Sequence, residues 1–253
     1  MEVQPHVILF LDILGYKNLI MNSSPQKNEN EYLEEVHSLM STLSSFIEHR
    51  NQRLDASNKW DLNMSRFKSL IFSDNILFFA PYTSEIDMFN LSGNLIYGLC
   101  EFLFQYPKSE IFFRGAITAG PLYYDENLHF VFGSGLIRAY ELESTVAIYP
   151  RIIVDNCLKP SPILVGWAQD SEEKWYVDYL TLAYSILCDD RNGVPTMTKE
   201  QTLFHLREHK ESIQTGLSKY QADEKIFSKY RWLAEYHNRF CYYSKFDDLT
   251  IQV

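Results

Sequence analysis

Positive charge is scarce in this chain: 23 Lys and Arg stand against 33 Asp and Glu, a net charge of -10 at pH 7. That excludes a general nucleic-acid surface, which needs a basic face. An anionic ligand then calls for a local cation, such as a metal. Cysteine is sparse and scattered. Cys100, Cys157, Cys188 and Cys241 form no CxxC pair and no zinc spacing with histidine, the pattern of isolated thiols in a reducing compartment. No stretch reaches the roughly 18 apolar residues of a membrane helix. The N-terminus lacks the basic and long apolar regions of a leader peptide. The expectation is a cytoplasmic protein that a partner must bring to any membrane. Ser73 has no Gly-x-Ser-x-Gly elbow around it, which sets serine hydrolysis aside.

Apolar and aromatic residues are plentiful. The chain is 46% hydrophobic and carries 17 Tyr and 17 Phe in 253 residues, enough for one large core. Residues 6–11, His-Val-Ile-Leu-Phe-Leu, predict a buried strand. Residues 31–50 predict an amphipathic helix, with Leu33, Val36, Leu39, Met40, Leu43, Phe46 and Ile47 at three- and four-residue spacing. "RFKSLIFSDNILFFAP" predicts a hairpin: Phe67–Phe72 and Ile76–Ala80 around Ser73-Asp74-Asn75. A helix over 85–106 ends at Pro107. "IFFRGAITAGPLYY" predicts strands around a bend, "FGSGLIRAYELESTV" a helix opened by two glycines, and "AIYPRIIVD" a further strand. The order β-α-β-β-α-β-(β)-α-β predicts an α+β, ferredoxin-like βαββαβ sandwich with a helical C-terminal extension. Beyond residue 156, residues 172–187 fit a strand or a helix. Two helical patterns follow, near 199–219 and 223–242.

Two acids stand out. Asp12, in "FLDILGY", ends the first strand, and a buried carboxylate needs compensation. Asp74 lies in the hairpin turn. Alone, Asp74 reads as a turn residue and Asp12 as a helix cap. In this element order the first strand is central and the hairpin lies beside it. The pair then meets at one sheet end, where two carboxylates can hold hard divalent cations for phosphoryl transfer.

"FLDILGY", "FSDNI", "FRGAITAG" and "FGSGLIRAYELE" together resemble the class III nucleotidyl cyclases over residues 5 to about 155. "DILGY", "SDNI", "RGAIT", "AYELES", "YPRIIV" and "KYRWLAEYHN" resemble most the bacterial pyrimidine cyclases of Pycsar antiphage defence. The resemblance implies a cyclase catalytic domain over 1–156. A mostly helical extension over 157–253 would pack on it. It also implies two Mg²⁺ or Mn²⁺ per site, held by Asp12, Asp74 and the Ile13 carbonyl. The amides of Leu14, Gly15 and Tyr16 would hold phosphates. The substrate would be a pyrimidine nucleoside triphosphate, UTP favoured over CTP, and the product, cyclic UMP, would act on a separate effector protein. The enzyme would be a homodimer with composite sites.

The purine cyclases carry an Asn and an Arg, four residues apart, on the helix after the fourth strand. Ile137 and Glu141 stand there, and Arg138 is the substitute cation that the resemblance implies for catalysis. The purine-reading positions hold Leu70 and Phe130. This fits a different base, and it also fits a degenerate module that binds without catalysis. Arg114 either reaches phosphate or forms a structural ion pair. Lys68 shares strand parity with Asp74 and so could face the pocket. Arg151 could serve phosphate or a partner subunit. His205 and His209 lie four apart on a helix without further ligands and predict a solvated face. Tyr230, Trp232, Leu233 and Tyr236 form a helical core stripe.

Overall fold

The protein is described here by a computed structural model, covering residues 2–14, 16, 29–49, 66–106, 111–158, 166–188 and 196–253. Strand β1 (Gln4–Ile13) is followed by helix α1 (Glu29–His49), the hairpin β2 (Lys68–Phe72) and β3 (Asn75–Pro81), and helix α2 (Glu85–Gln105). Then come β4 (Phe113–Asp125), β5 (Phe130–Phe132), α3 (Ser134–Thr145) and β6 (Ile152–Val154). The strands pair in the order β2-β3-β1-β4-β6-β8-β7, with β5 on β4. Read through the first four strands this is 4-1-3-2, the split β-α-β arrangement expected from the sequence.

β1 is central because it is apolar on both faces. Val7, Leu9, Leu11 and Ile13 pack with Val36, Met40 and Leu43 of α1 and with α2. Ile8 and Phe10 face the other way, under α3. Of the helical stripe expected on α1, Leu33 is instead exposed, because it lies a turn before the residues that reach the sheet. Ser84 caps α2 by accepting from the Asp87 N–H. Helix α3 lies directly on the sheet. A Cβ on Gly120 would come within 2.9 Å of the Gly135 Cα, so only glycines permit that approach.

Residues 172–187 hold both elements that the sequence left open. β8 (Trp175–Val177) runs into α4 (Tyr179–Leu187), and Asp178 caps the helix by accepting from the Thr181 N–H. β7 (Trp167–Gln169) and β8 extend the same sheet through β6. The sheet therefore continues past residue 156 before the last helices, α5 (Lys199–Lys219) and α6 (Glu224–Ser244), begin. Tyr230, Leu233 and Tyr236 are buried, as their spacing predicts. Arg151 is buried too, paired with Asp170 and lying against Tyr149, Tyr176 and Trp232, so its role here is structural.

Candidate active site

Asp12 continues the Ile8–Phe10 row to the end of β1. Its partner on β3 is Asn75 and its partner on β4 is Arg114. Directly opposed residues share a face, so the register itself brings Arg114 to Asp12. Arg114 Nε donates to Asp12 Oδ2 at 2.7 Å. Its Nη2 lies 2.7 Å from Glu143 Oε1 of α3, an ion pair without hydrogen-bond alignment. Asp12 is 9% exposed and Glu143 3%.

The Asp74 carboxyl comes from the two-residue β2–β3 turn, where Ser73 takes a positive φ of 55°. Its backbone carbonyl accepts from the Ile13 N–H at 3.1 Å, which ties the turn to the end of β1. Asn75 Nδ2 donates to Asp74 Oδ1 at 3.1 Å. Burial pushes the Asp12 carboxyl above the usual carboxylate range. Arg114 pulls it down, and the neighbouring Asp74 carboxyl pushes it up again. Burial likewise raises Glu143, with Arg114 opposing and both aspartates adding. The charge of half-buried Lys229 of α6 acts on the same group. Burial and Arg114 lower its pKa, and Asp12 raises it.

Two carboxylates in reach of each other, with oxygen donors only, fit a hard divalent cation. Among the described residues no group of three or more His, Cys, Asp or Glu could hold a metal. Mg²⁺ is commonly held by one or two carboxylates, with water and substrate phosphates at the remaining positions.

The other expected residues divide. The Leu14 N–H donates to the Phe112 carbonyl at 2.7 Å, so this amide is already used and is not free for a phosphate as the resemblance implies. Leu14 itself packs with Phe112, Ile213, Tyr230 and Leu233. Gly15 lies outside the described residues. Tyr16 is half-buried against the main core. Lys68 does not join Asp74. It pairs with Glu126 at 3.0 Å and lies over the Tyr124 ring. Parity sets its face but not its height, and it sits on the order of 13 Å from Phe72 along the strand. Arg114 is the ion-pair partner described above. Arg138 does not pair with Asp12; it grips Asp155 through Nε (2.9 Å) and Nη2 (2.8 Å). Ile137 and Glu141 are exposed on α3, and Phe130 on β5.

Glu143 and Lys229 are site residues that sequence reasoning missed. Glu143 gives one signal, an acid beside Leu142 on the buried phase of α3. His209 corrects the expectation of a solvated face. It is buried, accepting from Tyr179 Oη at 2.6 Å and lying 3.0 Å from His237 Nδ1. Its helix phase points into the contact of α5 with α4 and α6, which local spacing does not reveal.

No protein-family model and no curated protein matches the chain. Among solved structures, the crystal structure of the adenylyl cyclase CyaB from P. aeruginosa is similar at a TM-score of 0.42 and 12% identity, covering 70% of this chain and 95% of that one.

Proposed function

We propose that this protein is a homodimeric pyrimidine nucleotide cyclase that converts UTP to 3′,5′-cyclic UMP and pyrophosphate. Its product would be a second messenger of the Pycsar antiphage type, read by a separate effector protein. One observation carries the reading: Asp12 and Asp74 sit together at one end of the central strand, where Asp12 pairs with Asn75 and the Asp74 carbonyl accepts from the Ile13 N–H at 3.1 Å. The sequence resemblance supplies the reaction and the defence role.

Asp12 and Asp74 are the carboxylates that hold divalent cations beside the triphosphate. Bound Mg²⁺ or Mn²⁺ supplies charge neutralisation at the phosphates and lowers the pKa of the ribose 3′-hydroxyl. The 3′-oxygen forms its new bond to the α-phosphorus, the bond from that phosphorus to the β-phosphate bridge breaks, and pyrophosphate leaves with that electron pair. The 3′-proton passes to solvent through the carboxylate pair. Arg138 serves the neighbouring subunit, where a cation stabilises charge developing on the transferring phosphate. Its grip on Asp155 fixes the guanidinium at the surface.

The dimer would close on the α3 side of the sheet. Phe72 and Tyr140 flank Phe10, with ring centroids at 6.2 and 6.0 Å. Phe130, Phe132 and Ile137 are exposed nearby in sequence. No exposed base-reading pair of the purine type is present at Leu70 and Phe130, which favours a pyrimidine.

The test is incubation with each of the four nucleoside triphosphates and Mn²⁺ or Mg²⁺, followed by chromatography for 3′,5′-cyclic products. Cyclic UMP is expected. Cyclic CMP alone would move the assignment to the other pyrimidine, and a purine product would overturn both. No product from any nucleotide leaves a degenerate module that binds without catalysis. Product surviving Asp74→Ala sinks the two-carboxylate account.

A further inference from the structure

Arg114 is one cation shared by two buried acids, and its two ends are not equivalent. Nε makes a hydrogen bond to Asp12, while Nη2 makes an ion pair to Glu143. Glu143 Oε1 is buried and has no hydrogen-bond partner among the described residues, so its charge depends on that guanidinium. Three carboxylates, from Asp12, Asp74 and Glu143, act on one another here, with Arg114 and Lys229 as the facing cations. A divalent cation on Asp12 and Asp74 competes with Arg114 for the same Asp12 carboxylate. How hard Arg114 competes depends on what else holds it, and that is Glu143.

Resting on the reading that Asp12 and Asp74 take a divalent cation, we infer that Glu143 is a positioning residue that draws Arg114 partly off Asp12 and thereby sets the cation affinity of the site. The arginine is suited to this because its planar fork can address two carboxylates at once, whereas a lysine is a point charge. Partners behind metal ligands commonly change affinity ten- to a hundred-fold when lost. α6 belongs to the same arrangement. Tyr230 and Phe112 pack edge to face at 5.9 Å, and the charge of the preceding residue, Lys229, is felt by Glu143 and Arg114.

The experiment is a titration of the full chain with Mn²⁺ alone, followed by the electron paramagnetic resonance of the free ion. It needs no nucleotide, so it stands whether or not a cyclic product forms. Glu143→Gln is expected to weaken Mn²⁺ binding about ten-fold, because Arg114 then belongs wholly to Asp12. Arg114→Gln is expected to strengthen it. In the Arg114→Gln background, Glu143→Gln is expected to lose most of its effect. An equal weakening in both backgrounds would mean that Glu143 acts on the cation directly, which overturns the inference. So would no change in either background, or no Mn²⁺ binding by the unaltered protein at millimolar concentration. Should Arg114→Gln fail to fold, Arg114→Lys serves as the background, with the same shrinkage expected and the same results counting against it.

Discussion

Asp12 and Arg114 are opposite residues on neighbouring antiparallel strands, joined by a 2.7 Å hydrogen bond. The arginine does not cancel the cost of burying the acid, since the Asp12 carboxyl still titrates above its ordinary range. As pH rises past 3.8, the ordinary value for an aspartate, the unfolded chain loses this proton before the folded one does. Stability contributed by the protonated acid is therefore lost on the way to neutral pH. Asp12→Asn should melt higher than the unaltered protein at pH 7 by differential scanning fluorimetry. The same variant should lose cyclic product by about two orders of magnitude or more. Function is then held at the expense of stability.

The last two helices should be sensitive to one methyl group. A Cβ on Gly216 would come within 2.1 Å of the Tyr230 ring. Gly216→Ala should cost about 1–3 kcal/mol in a urea titration. Tyr230 packs on Phe112, whose carbonyl holds the Leu14 N–H, so the loss should also reach the strand end that carries Asp12.

Acid should loosen the C-terminal helices before it reaches the carboxylates. The Leu249 carbonyl can only accept, so His237 Nε2 carries hydrogen and its Nδ1 accepts from His209 Nδ1. His209 Nε2 then accepts from Tyr179 Oη. Every member is neutral, and one added proton sets two N–H groups against each other. Burial lowers His237 to about 4 and His209 well below its ordinary value. The unfolded chain takes up these protons first, so stability should fall between about pH 6.5 and 4. His209→Gln/His237→Gln should flatten that part of a melting-temperature profile. Burial raises Asp155 and Asp170, but their hydrogen bonds, those from Arg138 and Arg151 among them, lower both on balance, so they add their loss only at more acid pH.

The exposed ring of Phe132 offers a test of the dimer. Phe132→Glu places a charge where an apolar interface would close, and buried unpaired charge is costly. Light scattering should show a monomer, circular dichroism should stay unchanged, and activity should fall with dimerisation.

A composite site predicts complementation. Asp74→Ala and Arg138→Ala should each be inactive alone. Mixed and re-equilibrated, they should regain activity, because one site of each heterodimer then has both residues intact. Arg138→Ala should fold, since Asp155 keeps its bonds from the Thr118 hydroxyl at 2.7 Å and the Asn156 N–H at 2.8 Å.

Asp12 and Asp74 were legible in the sequence because each breaks a local pattern: a carboxylate ending an apolar strand, and an acid between two apolar runs. The strand order followed from the element order, since a hairpin after the first helix leaves few other arrangements. Long-range register was not legible. Nothing local says that Arg114 faces Asp12 rather than a phosphate, or that the Leu14 amide is met by Phe112. Glu143 reads as an ordinary helix glutamate until the sheet beneath α3 is known. His209 belongs to a mainly polar helix, and which side is buried is decided by α4 and α6, not by its own spacing. Lys68 shows the same limit for strands, where alternation gives the face and leaves the distance open.

Helix α3 carries Glu143 toward Asp12 and Arg138 toward Asp155, five positions apart. At 3.6 residues per turn these side chains point about 140° apart around the axis. A single helix thus divides its duties by azimuth, one flank meeting Arg114 beside Asp12 and the other meeting Asp155. The bare contact between Gly120 and Gly135 leaves no cushion on which the helix could roll. The angle between the two flanks is consequently set by the backbone, and any docking partner must conform to it.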